Sequence, residues 1–234
     1  MKRRRLLLVM LGVLGLAGCQ REAPTREAAG PATEAAAPVS TEESRGARPR
    51  VVAFGDSLTA GLGLAPDRAW PALVQQKIDA AGLDVEVVNA GVSGDTTAGG
   101  LRRLDWALDG DVKVLVLELG ANDGLRGLPI DQMRQNLSQM IETAKRRGIT
   151  VLLCGMEAPP NFGPQYTREF RKAYVELADE HDVALIPFML AGVAGESALN
   201  QDDGIHPNEE GTRRVADLIW QSLQPLLTRA LATT

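Results

Sequence analysis

The sequence predicts an α/β protein, a single three-layer α/β/α domain around a five-stranded parallel sheet. Three observations carry that expectation. Five apolar runs of strand length are spread over residues 51 to 188, with helical apolar periods between them and after the last. The runs are nearly continuous in apolar residues, as strands covered on both faces are. A polar, mostly glycine-bearing segment follows each run, at the edge where an open parallel sheet places its ligands.

In chain order, VVAF (51 to 54) reads as the first strand, and Trp70, Leu73, Val74 and Ile78 then recur at helical spacing. VEVVNA (85 to 90) is the second strand. Leu101, Leu104 and Leu108 mark a helix behind a cap at Asp95 or Thr96, whose side-chain oxygens can accept from the free N–H groups of a first turn. VKVLVLEL (112 to 119) is the third strand, followed by Ile130, Met133, Leu137, Met140 and Ala144 on one helical face, with Gly148 placed to end it. ITVLLCGM (149 to 156) and VALIPF (183 to 188) complete the sheet. Between them, His181 in ADEHDV is expected at a helix end, facing solvent, where the dipole favours it. Pro207 is expected to begin a final helix that carries Val215, Leu218, Ile219 and Leu223.

Ahead of the domain, Lys2, Arg3, Arg4 and Arg5 precede the apolar run Leu6 to Ala17, which is short of the roughly 20 residues that cross a membrane. That pattern reads as a signal peptide over residues 1–18. The run ends in Leu16-Ala17-Gly18-Cys19, which resembles the bacterial lipobox and implies a diacylglycerol on Cys19; an ordinary secretory signal with an incidental cysteine is the alternative. Gln20, where the resemblance reads Asp as a retention signal, favours the outer membrane. Residues 19–48 are rich in Ala, Pro and Glu with one Val as their only large aliphatic, so they are read as a disordered tether. Residues 49–234 suffice for one domain that buries about 70 percent of its unfolded surface. The expectation is a monomeric lipoprotein of the cell envelope, facing the periplasm and held to the membrane by its lipid.

Charge and cysteine count narrow the function. The formal net charge is −5, and loss of the four basic residues with the signal makes it four lower. An acidic chain with no basic stripe excludes nucleic acid as a partner. Lipidation of Cys19 leaves Cys154 alone, so no intramolecular disulfide is expected, and Cys154 within an apolar strand is a buried structural thiol.

The segments after the strands are GDSL (55 to 58), GVSGD (91 to 95), GAND (120 to 123), EAPPN (157 to 161) and, past a loop, DGIH (203 to 206). Together they offer a hydroxyl, flexible backbone donors, an amide, and an acid beside a histidine. Taken singly, Ser57, Gly94 and Asn122 are also ordinary turn residues.

Taken jointly, GDSL, SGDT (93 to 96), GAND and DDGIH (202 to 206) resemble the four motif blocks of the SGNH, or GDSL-type, hydrolases, in order across residues 50 to 230. NAGVSGDTTAGGLRRLDWAL, LELGANDGLRG and GMEAPPNFGPQY further resemble the bacterial arylesterase, acyl-thioesterase and lysophospholipase I branch. The resemblance implies the flavodoxin-like strand order 2-1-3-4-5. It also implies a serine esterase acting through an acyl-enzyme on small ester or lipid-like substrates, without a metal or cofactor: aryl esters, short to medium acyl esters, thioesters or lysophospholipids.

On that resemblance Ser57 is the nucleophile, His206 its base and Asp203 the partner of the second ring nitrogen. The chemistry supports the assignment, because a serine hydroxyl is unreactive until a base takes its proton, and a histidine with an ordinary pKa of about 6.5 can do so near neutrality. Asp202 is a possible competitor; the family spacing of Asp, two residues, His selects Asp203. The oxyanion donors implied are the backbone N–H groups of Ser57 and Gly94 and the amide of Asn122. Asp56 is expected to cap or orient the Ser57 turn, and Asp95 and Asp123 to cap helices. Glu157, Ala158, Pro159, Asn161, Phe162 and Tyr166 are expected to border the acyl pocket.

Three other readings are weaker. A metallohydrolase could draw on His206, Asp202, Asp203 and Glu209, but the chain has two histidines and no HExxH. A non-catalytic envelope-binding lipoprotein on the same fold has no need of Ser57, Asp203 and His206 together. An α/β-hydrolase needs a G-x-S-x-G elbow, which GVSGD does not supply.

Overall fold

The computed structural model describes residues 48–233, so the N-terminal apolar run, Cys19 and nearly all of the tether lie outside the described residues. The sheet is centred on β1 (Arg50–Gly55) and β3 (Val112–Glu118), whose positions 51–54 and 114–117 are apolar and buried on both faces. β2 (Glu86–Gly91) flanks β1, and β4 (Thr150–Cys154) and β5 (Ala184–Ile186) extend the sheet beyond β3. All neighbours pair in parallel, in the order β2-β1-β3-β4-β5. This is the five-stranded arrangement and strand order expected. β5 is shorter than the run 183 to 188 because Pro187 has no N–H for the ladder; the Ile186 carbonyl instead accepts from Gly155 N–H at 2.8 Å.

Right-handed crossovers place the helices. The step from β1 to β2 runs one way across the sheet and the later steps run the other, so α2 (Trp70–Ala80) covers one face while α3 (Thr97–Ala107), α5 (Ile130–Arg146) and α6 (Gly163–His181) cover the opposite one. α7 (Glu209–Ala232) returns across β3 and β4 to pack on α2, while α5 packs between α3 and α6. Phe54, Trp70, Ile78, Leu115, Leu117, Met133, Leu137 and Met140 are among the largest fully buried side chains of the core. The reversal of direction falls between β1 and β3. Their carboxyl ends therefore border a crevice, and the short helices α1 (Ser57–Ala60) and α4 (Ala121–Leu125) begin there.

Thr96, one of the two caps expected, caps α3, its side chain accepting from Gly99 N–H at 3.3 Å. Two other expectations at helix ends differ from the structure. The final helix begins at Glu209 rather than at Pro207, because the Asn208 side chain accepts from the N–H groups of Glu210 and Gly211, a capping role proline cannot fill. His181 is half-buried and not solvent-facing: its Nε2 hydrogen-bonds the Ser138 hydroxyl at 2.8 Å and so joins α6 to α5. Asn208→Ala is expected to lower the unfolding free energy by about 1 kcal/mol in a urea titration. An unchanged midpoint would mean that the α7 cap contributes nothing.

Candidate active site

Ser57 stands where β1 turns into α1, and Gly55 makes that turn possible. A Cβ at Gly55 would lie 2.1 Å from Thr59 Oγ1 and 2.3 Å from a Glu118 carboxylate oxygen, so only glycine lets the nucleophile turn sit this close to β3. Asp56, buried, accepts from Leu58 N–H at 3.0 Å through Oδ1, which caps and orients the turn as expected. Its other oxygen accepts from the Asn122 amide at 2.9 Å, linking the ends of β1 and β3.

His206 lies 149 positions further along the chain, on the loop before α7, and its Nε2 is 2.9 Å from Ser57 Oγ. Its Nδ1 is 2.6 Å from Asp203 Oδ2. The other Asp203 oxygen accepts from the backbone N–H groups of Ile205 and His206, both at 3.0 Å. With the proton on Nδ1, the ring donates to Asp203 and presents Nε2 as acceptor to the serine hydroxyl. The two distant segments are fastened by Gln201, whose amide donates to the carbonyls of Leu62 (2.8 Å) and Pro207 (3.0 Å), and Gln201 N–H donates to the His206 carbonyl (2.8 Å). Sequence reading missed Gln201, since its role depends wholly on Leu62 being near.

The candidate oxyanion donors occupy three strand ends. Among the described residues, neither the Ser57 nor the Gly94 backbone N–H has an acceptor. Gly94 has φ +81°, a left-handed conformation that glycine accepts without strain. Its carbonyl accepts from Arg126 Nη2 at 2.8 Å. Asn122 spends one amide hydrogen on Asp56, leaving the second for a substrate oxygen. Arg103 braces this edge: it donates to the Ala90 and Gly55 carbonyls at 2.7 and 2.8 Å, pairs with Asp95 at 2.7 Å, and lies 4.0 Å over the Phe54 ring. Asp123 caps a helix, though α3 rather than its own, by accepting from Thr97 N–H and Oγ1 at 2.8 and 2.6 Å.

A cavity of about 400 Å³ opens beside Ser57, Asn122 and His206. Glu157, Ala158 and Pro159 line it. Asn161, Phe162 and Tyr166 do not, because the chain turns away at Pro160 into a 3-10 turn and α6. There Phe162 packs on Tyr166 with ring centroids 5.4 Å apart, and Tyr166 donates to the Leu128 carbonyl at 2.8 Å. The apolar lining comes instead from Leu125, Met156, Phe188, Leu190, Ala194 and Ile205. A sequence signal existed for part of it: PFMLAGVA continues apolar beyond the point where β5 can end.

Hydrogen bonding and burial set the charges. Asp203 is held low, at about 2, chiefly by the His206 N–H and also by the His206 ring and the Ile205 N–H, so it stays ionised at any working pH. Burial pushes Asp56 up to about 6, against the hydrogen bonds from Leu58 and Asn122. Burial also pushes the Cys154 thiol up, so it is an inert core thiol. Among the described residues no three His, Cys, Asp or Glu side chains are grouped to hold a metal ion.

Asp56 binds its proton more tightly folded than unfolded, so its ionisation costs stability as pH rises from about 4 to above 6. Relative to Asp56→Asn, the wild type should therefore gain about 1 kcal/mol between about pH 7 and pH 5, measured by denaturant titration at each pH. Asp203 acts in the opposite sense, since its contribution is present above its unfolded value and is lost only as pH falls towards about 2, below that window.

Comparison with known proteins gives a consistent result. Residues 53–214 match the model of the GDSL-like Lipase/Acylhydrolase family. The chain is 44% identical over 178 residues to "Esterase TesA" of Pseudomonas aeruginosa, covering 76% of this chain and 89% of that protein. It is 40% identical over 175 residues to "Thioesterase 1/protease 1/lysophospholipase L1" of Escherichia coli (strain K12), covering 74% and 83%. The crystal structure of TesA superposes with a TM-score of 0.73 at 43% identity, covering 76% of this chain and 99% of that one.

Proposed function

The chain belongs to the GDSL-like lipase/acylhydrolase family and is a carboxylic ester hydrolase, and from that premise we propose that it works through Ser57, His206 and Asp203. The observation that carries the reading is the unbroken hydrogen-bond relay from Ser57 Oγ through the His206 ring to Asp203. His206 Nε2 takes the serine proton as Oγ attacks the ester carbonyl. Asp203, ionised, stabilises the imidazolium that forms. The oxyanion is met by the N–H groups of Ser57 and Gly94 and by the free amide hydrogen of Asn122. His206 then protonates the leaving alcohol, and water repeats the sequence on the acyl-enzyme to release the acid.

The cavity beside Ser57, apolar along most of its wall, receives the acyl group. Its size favours short to medium acyl chains on aryl or alkyl esters. Thioesters and lysophospholipids are further candidates, supported by the name of the Escherichia coli relative. Ala194→Trp is expected to shorten the preferred chain, each excluded methylene changing kcat/KM by about 1 to 3 kcal/mol. A chain-length series of aryl esters reads this directly, and an unmoved optimum would place the acyl group elsewhere.

The N-terminal segment supports a periplasm-facing lipoprotein, lipidated on Cys19, tethered through residues 20–48 and held at the outer membrane. Metabolic labelling with a fatty-acid probe, lost in Cys19→Ser, tests the lipid. Labelling by an alkyl organophosphonate tests the mechanism: one adduct on the Ser57 peptide is expected, and an adduct elsewhere or none would sink the reading.

A further inference from the structure

Two carboxyl groups lie buried beneath the nucleophile, and the mechanism above uses neither. Glu118, the last residue of β3, is completely inaccessible and Asp56 nearly so. Through Oε2 Glu118 accepts from Asp56 N–H at 3.2 Å and from Thr59 Oγ1 at 2.8 Å, so it holds both flanks of Ser57. Its Oε1 has no partner. A charged oxygen in that place is desolvated with no donor of its own, which favours the neutral Glu118 carboxyl over the ionised one despite the donors on Oε2. Asp56 differs, since both of its oxygens accept hydrogen bonds, from Leu58 N–H and from the Asn122 amide. Those bonds favour the ionised form.

We propose that Glu118 and Asp56 carry one proton between them, with Glu118 the neutral acid that props the nucleophile turn and Asp56 the carboxylate that aims the Asn122 amide at the reacting carbonyl. Both are positioning residues, and the inference rests on the serine-esterase reading. The directions of titration agree: burial, then the Asp56 charge, pushes Glu118 well above the usual carboxylate range, and burial raises Asp56 to about 6. The other titratable groups around the pair are Cys154 of β4, Tyr174 of α6 and Asp123 of α4, with Asp95 held by Arg103 on the α3 side and His206 from the loop before α7. None is placed to supply a positive partner for Glu118. When Asp56 gains the second proton, it becomes a weaker acceptor with a hydrogen of its own to place, and the Asn122 amide loses its fixed aim.

The test combines infrared spectroscopy with pH–rate profiles for hydrolysis of a soluble acetyl aryl ester. At about pH 8 the wild type should show a protonated-carboxyl band that Glu118→Gln abolishes, although a free carboxylic acid is ionised by about pH 5. If Glu118→Gln does not fold, the wild-type band decides: persistence to about pH 8 supports the pair, and loss by about pH 6 overturns it. In the rate profile, the wild-type kcat should carry a step of about tenfold centred near pH 6, where Asp56 takes its proton, and Asp56→Asn, which already lacks the carboxylate, should lose that step. Asp56→Asn should also cost about tenfold in kcat at about pH 8 with KM little changed. A wild-type profile without that step, or one that Asp56→Asn lowers without changing its shape, overturns the proposal. Failure of the esterase reading would appear separately, as Ser57→Ala hydrolysing at the wild-type rate at every pH.

Discussion

Ser57→Ala is expected to lower kcat by about 10⁴-fold or more on every ester tested, and His206→Ala to do nearly the same. The two side chains form one device. Without the hydroxyl there is no acyl-enzyme, and without the ring the hydroxyl keeps its proton. Ser57→Ala/His206→Ala should therefore cost little beyond either single change, because each has already removed the whole relay. The structure makes the comparison clean: Ser57 Oγ meets His206 Nε2 at 2.9 Å, and the His206 loop is held independently by Gln201 on Leu62 and Pro207, so neither truncation should release the other segment. Steady-state kinetics on a short aryl ester, with circular dichroism as a check on folding, decides the matter. Costs that multiply would show that the two side chains do not act as one device, and a Ser57→Ala variant retaining a tenth of the activity would show that the nucleophile lies elsewhere.

Asn122→Ala is the second large effect, expected at about 100 to 1,000-fold in kcat with KM nearly unchanged, since the oxyanion donor acts in the transition state and not on the ground-state ester. Its direction is informative because Asn122 also donates to Asp56. A purely structural role would show as loss of stability with a smaller loss of kcat. A role in the oxyanion hole shows as a kcat loss without a change in the unfolding midpoint greater than the roughly 1 kcal/mol of one hydrogen bond. An equal rise in KM would contradict donation to the oxyanion.

Much of this molecule is legible in one dimension. Strand runs such as VVAF and VKVLVLEL announce a doubly covered sheet because period and composition are local properties, and the rule that ligands gather at carboxyl ends directs attention to GDSL and GAND before any coordinate is known. The placement of Pro207 at a helix start erred because proline and asparagine both suit helix beginnings, and only the side-chain bonds of Asn208 decide between them. His181 does end a helix, but its expected exposure erred for a related reason: the helix dipole is a local cue, and Ser138 comes from another helix.

The pocket wall shows the same division. Phe162 and Tyr166 directly follow the correct loop, yet the turn at Pro160 carries them onto the 125 to 128 segment. Leu190 and Ala194, more than thirty positions beyond Glu157, face the cavity in their place. The sequence by itself determined the strand order of chemistry, namely which residue types stand at which strand ends, since that follows from periodicity and motif. Only the tertiary structure decided which of those residues touch. Contact across the sheet edge, Glu118 under Ser57, Asn122 on Asp56 and Gln201 on Leu62, arises from the packing of segments 59 to 139 positions apart, and no local property of the chain encodes it.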